Sequence, residues 1–136
     1  MIEFHEAWLF KAENDLGSAE VLIRQGNPFT DTAIYHTQQC AEKALKGFLA
    51  FHKAEIQKIH NLAELIVHCS VFDSTFKTLL SDADDLTPTG TKFRYPDDPA
   101  GINTLTQLCP TVEEVKAAIA IAKSILDFVK SKISEG

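Results

Sequence analysis

Few of the residue patterns that announce a chemistry are present in this chain. Its 136 residues hold three cysteines, Cys40, Cys69 and Cys109. They are odd in number and widely spaced, which excludes a disulfide framework or a zinc knuckle and predicts reduced thiols packing as small hydrophobes. No run approaches the roughly 18 apolar residues of a membrane span. Met1-Ile2-Glu3-Phe4-His5-Glu6 has no basic start followed by an apolar run, so neither a secretion signal nor a membrane association is expected, and the cytoplasm is the expected location. The phosphate-binding loop G-x-x-x-x-G-K-[ST], the dinucleotide fingerprint G-x-G-x-x-G, the zinc motif H-E-x-x-H and the serine elbow G-x-S-x-G are all missing, and no histidine pair has metal-ligand spacing. No cofactor and no metal site are therefore expected. Only two of thirteen cations are arginines, Arg24 and Arg94. The planar guanidinium suits bidentate phosphate recognition, so Arg94, placed in a loop, stands out. The formal charge of -6 disfavours broad attraction to nucleic acid but leaves room for a local basic pocket.

What is present is helical periodicity. Apolar residues make up 45% of the chain, enough to close a core without staples and too many for disorder. A helix is predicted from about Phe4 to Ile23, with Phe4, Trp8, Leu16, Ala19, Leu22 and Ile23 as its stripe, ended by Gly26 and Pro28. A second, from about Thr30 to His52, turns Ala33, Thr37, Cys40, Ala41, Ala44, Leu45, Phe48 and Leu49 inward. Glu42 and Lys46 on it form an i,i+4 pair, worth about 0.2–0.5 kcal/mol on a surface. A short third helix carries Leu62, Leu65, Ile66 and Cys69, with Asn61 as a candidate cap. A fourth segment, about Ser74 to Leu86, packs Phe76, Leu79, Leu80 and Ala83. Its acidic exit, Asp82, Asp84 and Asp85, reads as a solvated helix end rather than a calcium loop.

From Thr87 to Pro110 the periodicity is lost among prolines, glycines, threonines and aspartates, a long connection for a helical bundle. Phe93-Arg94-Tyr95-Pro96-Asp97 within it is a candidate site: Arg94 offers a cation, Tyr95 a hydroxyl, and Pro96 stiffens both. The other reading is a docked loop that seals the bundle. Thr111 and Glu114 then form a capping box for the last helix, which runs to about Lys132. Val115, Ile119, Ala122, Leu126, Val129 and Ile133 make one seam. A second apolar stripe that includes Ile121, Ile125 and Phe128 means that this helix is either central or part of a homodimer interface. The predicted fold is all-α: one antiparallel, up-and-down bundle of four or five helices spanning residues 1–136, with a long loop before the last helix.

Two further polar groupings are candidates for function. His36, Gln39 and Lys43 fall along one edge of the second helix and could meet a phosphate, although helix-surface polarity explains them as well. His60, at a helix start, could serve in acid–base chemistry near neutral pH or simply hydrogen-bond locally.

Trp8 with Lys11-Ala12 and Asp15-Leu16, then Gln39-Cys40-Ala41-Glu42-Lys43-Ala44-Leu45-Lys46, then His60-Asn61-Leu62, then Arg94-Tyr95-Pro96-Asp97, together resemble the HEPN family, the higher eukaryotes and prokaryotes nucleotide-binding domain. The resemblance spans nearly the whole chain. It implies a bundle of four or five helices, frequent homodimerisation and frequent pairing with a separately encoded minimal nucleotidyltransferase, as in toxin–antitoxin pairs. Many ribonuclease toxins of the family carry an arginine, four to six residues and a histidine. Neither Arg24 nor Arg94 is followed by a histidine at that distance. The resemblance and the residues together favour a nucleotide-responsive binding or partner module in which Lys43, Lys46 or Arg94 contacts phosphate and Tyr95 orders the loop. The alternative is a divergent metal-independent ribonuclease acting on RNA, with His60 as acid or base and Arg94 stabilising charge.

Overall fold

The computed structural model describes residues 1–24, 29–56, 58–92 and 109–136. Arg94 and Tyr95 lie outside them. Five α-helices follow one another: α1 (Phe4–Ile23), α2 (Thr30–Phe51), α3 (Leu62–Ser70), α4 (Leu80–Lys92) and α5 (Val112–Glu135), with a 3-10 turn at Ser74–Leu79 leading into α4. The fold is an all-α bundle, with no strand among the described residues. No described helix is long and apolar enough to cross a membrane.

α1 and α2 share the most extensive contact in the bundle. The reason is visible at Gly47, where an added Cβ would come within 3.2 Å of Leu9 Cδ2 and 3.4 Å of Trp8 Cβ. A side chain here would press on Leu9 and Trp8, a contact that the bare backbone of glycine avoids. His5 meets Phe51 while Asp15 meets His36 and Lys43, so α1 and α2 run antiparallel. Glu13 pairs with Lys130, and Gly136 lies beside Phe51, so α5 runs against α1 and along α2. The chain between α2 and α5 must therefore travel back along the bundle: His60 already lies level with Glu42, α3 then descends so that Phe72 stacks on His52 and Asp73 pairs with Lys132, and the 3-10 turn and α4 follow from that end.

Caps fix the ends of this return path. Asn61 Oδ1 accepts from the Glu64 amide at 3.0 Å at the start of α3. At α5 the Thr111 hydroxyl accepts from the Glu114 amide and the Glu114 carboxylate accepts from the Thr111 amide, each at 3.1 Å, the reciprocal box expected from the sequence.

The inner residues expected on α2 and α3 are all buried. Phe48, Phe76, Leu45, Leu62, Ile125 and Leu126 are among the largest fully enclosed side chains. Two expectations are corrected. Phe4, placed on the inner stripe of α1, is 66% exposed. Eight residues before Ala12, it is turned about 80° away from it at 3.6 residues per turn. The fourth segment divides into a 3-10 turn and a helix that continues to Lys92, past Pro88 and Gly90. Proline removes one donor, but it does not forbid elongation of a helix already anchored by Leu79, Ala83 and Leu86. On the last helix, Ile125 is wholly buried, while Ile121 and Phe128 pack against the core, Phe128 meeting Phe76 edge-on at 5.0 Å. α5 touches α1, α2 and α4, and within the chain Ile125 is enclosed while Ile121 and Phe128 remain partly exposed, so the central placement of this helix accounts for Ile125.

Candidate functional site

Two buried carboxylates organise the polar chemistry of the bundle, Asp15 on an otherwise apolar face of α1 and Glu42 on α2, where Gln38 and Lys46 are buried beside it. Asp15 sits among Ala12, Leu16 and Ala19 on the inner face of α1, and Glu42 among Cys40, Ala41, Ala44 and Leu45 on α2. A carboxylate in such surroundings must be paired or it forfeits its hydration. Each is held between one lysine and one histidine.

Around Glu42, Lys46 Nζ donates to Oε2 at 3.2 Å, and His60 Nδ1 lies 3.2 Å from Oε2 and 3.3 Å from Oε1. Glu42 and Lys46 side chains are only 5% and 7% exposed, whereas His60 is 75% exposed. The pair read from the sequence as a surface i,i+4 contact is thus an interior ion pair. The reason is that α1 lies across it: the Lys46 ammonium also sits 5.7 Å from the centre of the Trp8 ring. Trp8 Nε1 is buried without a hydrogen-bond partner. His60 comes from the connection between α2 and α3, one residue before the Asn61 cap, so the start of α3 fixes its position.

Around Asp15, His36 Nδ1 and Lys43 Nζ each lie 2.7 Å from a different carboxylate oxygen. His36 and Lys43, assigned from the sequence to one polar edge, are indeed brought together, by an acid on the neighbouring helix. Gln39 is not part of this cluster.

The structure therefore joins His60 to Lys46 through Glu42, and places Lys43 with Asp15 instead. Lys43 and Lys46 both have their charge balanced within the fold, Lys46 deep inside it. Asp15 and Glu42 are the residues that the sequence reading undervalued. The available signal was an acid interrupting an apolar stripe, a placement that costs stability unless the acid has partners.

Cys40 and Cys69 are buried, and burial pushes both thiols up to about 12, so neither is an available nucleophile near neutral pH. Cys109 is exposed. No group of three or more histidine, cysteine, aspartate or glutamate side chains among the described residues could hold a metal ion. What the Glu42 cluster can do chemically follows from its asymmetry. The carboxylate and ammonium are fixed inside, and only the imidazole meets solvent. With Nδ1 held on Glu42, Nε2 is left to bind a ligand or exchange a proton.

Comparison with known proteins agrees with this architecture. The family model described as "HEPN domain" matches residues 5–132. A protein of Methanocaldococcus jannaschii named "Putative toxin MJ1304" is 25% identical over 142 residues, covering 98% of this chain and 91% of its own length. Among solved structures, ST0689, described as an archaeal HEPN homologue, is 30% identical with a TM-score of 0.73, over 97% of this chain and 99% of that one. TT1696 from Thermus thermophilus is 26% identical with a TM-score of 0.81, over 96% of this chain and 99% of that one.

Proposed function

The chain belongs to the HEPN domain family, and from that premise we propose that it is the helical member of a toxin–antitoxin-type pair, a binding module that meets a nucleotide or RNA phosphate at His60 and a minimal nucleotidyltransferase as its protein partner. The observation that carries this reading is the Glu42 cluster, in which a buried ion pair holds an exposed imidazole in one orientation. A preoriented imidazole loses little freedom when it binds an anion, which is how such a site gains affinity. The relative named a putative toxin supports the toxin–antitoxin context.

In this reading Lys46 positions Glu42 rather than touching the ligand. Lys43, 26% exposed, offers phosphate only what Asp15 leaves free. Arg94 and Tyr95 supply the remaining cation and hydroxyl. Homodimerisation belongs to the same proposal, through a surface that leaves Ile125 buried within the chain. The test is fluorescence anisotropy with labelled ATP and a labelled RNA oligonucleotide. Binding is expected to be lost in His60→Ala and weakened in Arg94→Ala, with circular dichroism unchanged. Equal binding by both variants and the parent would refute it.

A second reading, metal-independent ribonuclease activity, is favoured by the same carboxylate–imidazole pair. Glu42 orients Nδ1, leaving Nε2 to take a proton from or return one to an RNA hydroxyl, while Arg94 would stabilise developing charge. Cleavage of RNA in chelator that disappears in His60→Ala would establish it, and intact RNA after prolonged incubation with folded protein would exclude it.

A further inference from the structure

A cavity of about 670 Å3 opens at one end of the bundle, where α1 begins and α2 ends. Its volume falls within the roughly 300–1,000 Å3 of sites that enclose small organic ligands. Phe4, Ala50, Phe51 and Ala54 supply its apolar wall, and Glu3, His5 and Lys53 its polar groups. Phe51 is met edge-on by the His5 ring at 5.1 Å and by the His52 ring at 5.2 Å, so two imidazoles hold it in the wall.

The two charges of opposite sign around this cavity are unspent. Glu3 stands at the N-cap of α1, yet its side chain accepts no capping hydrogen bond. Lys53 follows the end of α2, in a reversal closed by the Lys53 amide on the Ala50 carbonyl and the Ala54 amide on the Leu49 carbonyl, each at 2.9 Å. Among the described residues neither the Glu3 carboxylate nor the Lys53 ammonium enters an ion pair, with each other or with a third group. Asp15 and Glu42, by contrast, are each matched by a lysine. Lys53 also has a φ of 55°, the left-handed region in which a side chain is crowded and glycine is the usual occupant. Local backbone preference does not account for a lysine at this position, whereas a cation at the rim of the cavity does.

We propose that this cavity binds a free α-amino acid with an apolar side chain, its carboxylate towards Lys53, its ammonium towards Glu3 and its side chain against Phe4 and Phe51. A ligand with a single charge leaves one of the two rim groups unmatched, and that is the source of selectivity. His5 enters through the ring that it sets against Phe51, in either protonation state. The inference does not rest on the phosphate contact at His60, since none of the cavity residues belongs to the Glu42 cluster.

L-phenylalanine, hydrocinnamate, which lacks the ammonium, and phenethylamine, which lacks the carboxylate, are the probes, titrated into the full chain at constant pH and followed by amide shifts in two-dimensional NMR. L-phenylalanine is expected to give saturable shifts at His5, Ala50 and Ala54. Each analogue should bind about three- to fivefold more weakly, the scale of one exposed ion pair. Glu3→Gln should bring the affinity for L-phenylalanine down to that of hydrocinnamate. Lys53→Gly should bring it down to that of phenethylamine, with a thermal midpoint at or above the parent's, because glycine suits the left-handed backbone. Absence of saturable shifts, equal affinity for all three probes, or undiminished binding of L-phenylalanine by Lys53→Gly would each overturn the proposal. A lowered midpoint in Lys53→Gly would make that lysine structural and overturn it likewise. So would shifts at the same amides that follow protein concentration alone, since a second copy would then fill the cavity. His60→Ala should leave the L-phenylalanine titration unchanged, so a failure at His60 and a failure at this cavity are told apart.

Discussion

Replacing Glu42 by glutamine keeps the shape of the side chain but removes the charge that Lys46 depends on. Lys46 is 7% exposed, and its only ion-pair partner among the described residues is Glu42. Breaking a buried pair by removing one partner typically costs about 3–5 kcal/mol, because the remaining charge is neither hydrated nor matched. For a chain of this size, with an overall stability of about 5–15 kcal/mol, such a loss is large. With a urea dependence of about 1–3 kcal/mol/M, the midpoint should fall by roughly 1–5 M. Removing both charges in Glu42→Gln/Lys46→Met should restore stability to within about 2 kcal/mol of the parent, the remainder including the lost contact of Lys46 with Trp8. His60→Ala should cost less than about 1 kcal/mol, since the imidazole is 75% exposed. Urea titrations followed by far-ultraviolet circular dichroism measure these four proteins together with the single variant Lys46→Met. If Glu42→Gln cost under about 1 kcal/mol, or the double variant cost the sum of the single ones, the pair would not be the coupled interior unit described here.

Three other outcomes follow from the packing. Ile125→Glu should unfold the chain rather than yield a folded monomer, because it drives a carboxylate into a fully buried position; a cooperative thermal transition near the parent's would contradict this. Gly17→Ala should stabilise by up to about 1 kcal/mol, as its Cβ meets nothing, whereas Gly47→Leu should destabilise by about 1–3 kcal/mol against Leu9 and Trp8; denaturant midpoints that move in the opposite directions would refute the assignment of the α1–α2 contact. At pH 8 a thiol reagent should label Cys109 quickly and leave Cys40 and Cys69 until the chain unfolds, because both buried thiols are raised to about 12 and stay protonated; peptide mapping that found either one labelled in the native state would count against their burial.

Local signals in the sequence determined most of the helical architecture. The inner faces of α2 and α3, the Asn61 cap and the Thr111–Glu114 box depend on contacts within a few residues, so periodicity and end chemistry suffice to specify them. The family resemblance was likewise legible, since it rests on the order of short motifs along the chain. Tertiary structure decided what those motifs do. Whether Ile125 on the second stripe of α5 faced the bundle depended on how α5 lies among its neighbours, and packing against α1, α2 and α4 encloses it. His36 and Lys43 share an edge in sequence, but their common partner Asp15 comes from α1, 28 residues before Lys43. Glu42 and Lys46 have the spacing of an exposed pair on any helix wheel. The Gly47 contact brings α1 across α2, and burial beside Trp8 turns that pair into an interior charge cluster with His60 as its outlet. Spacing along a helix fixes which side chains can meet; the dielectric around them, and so the strength of their interaction, is set by what packs on top.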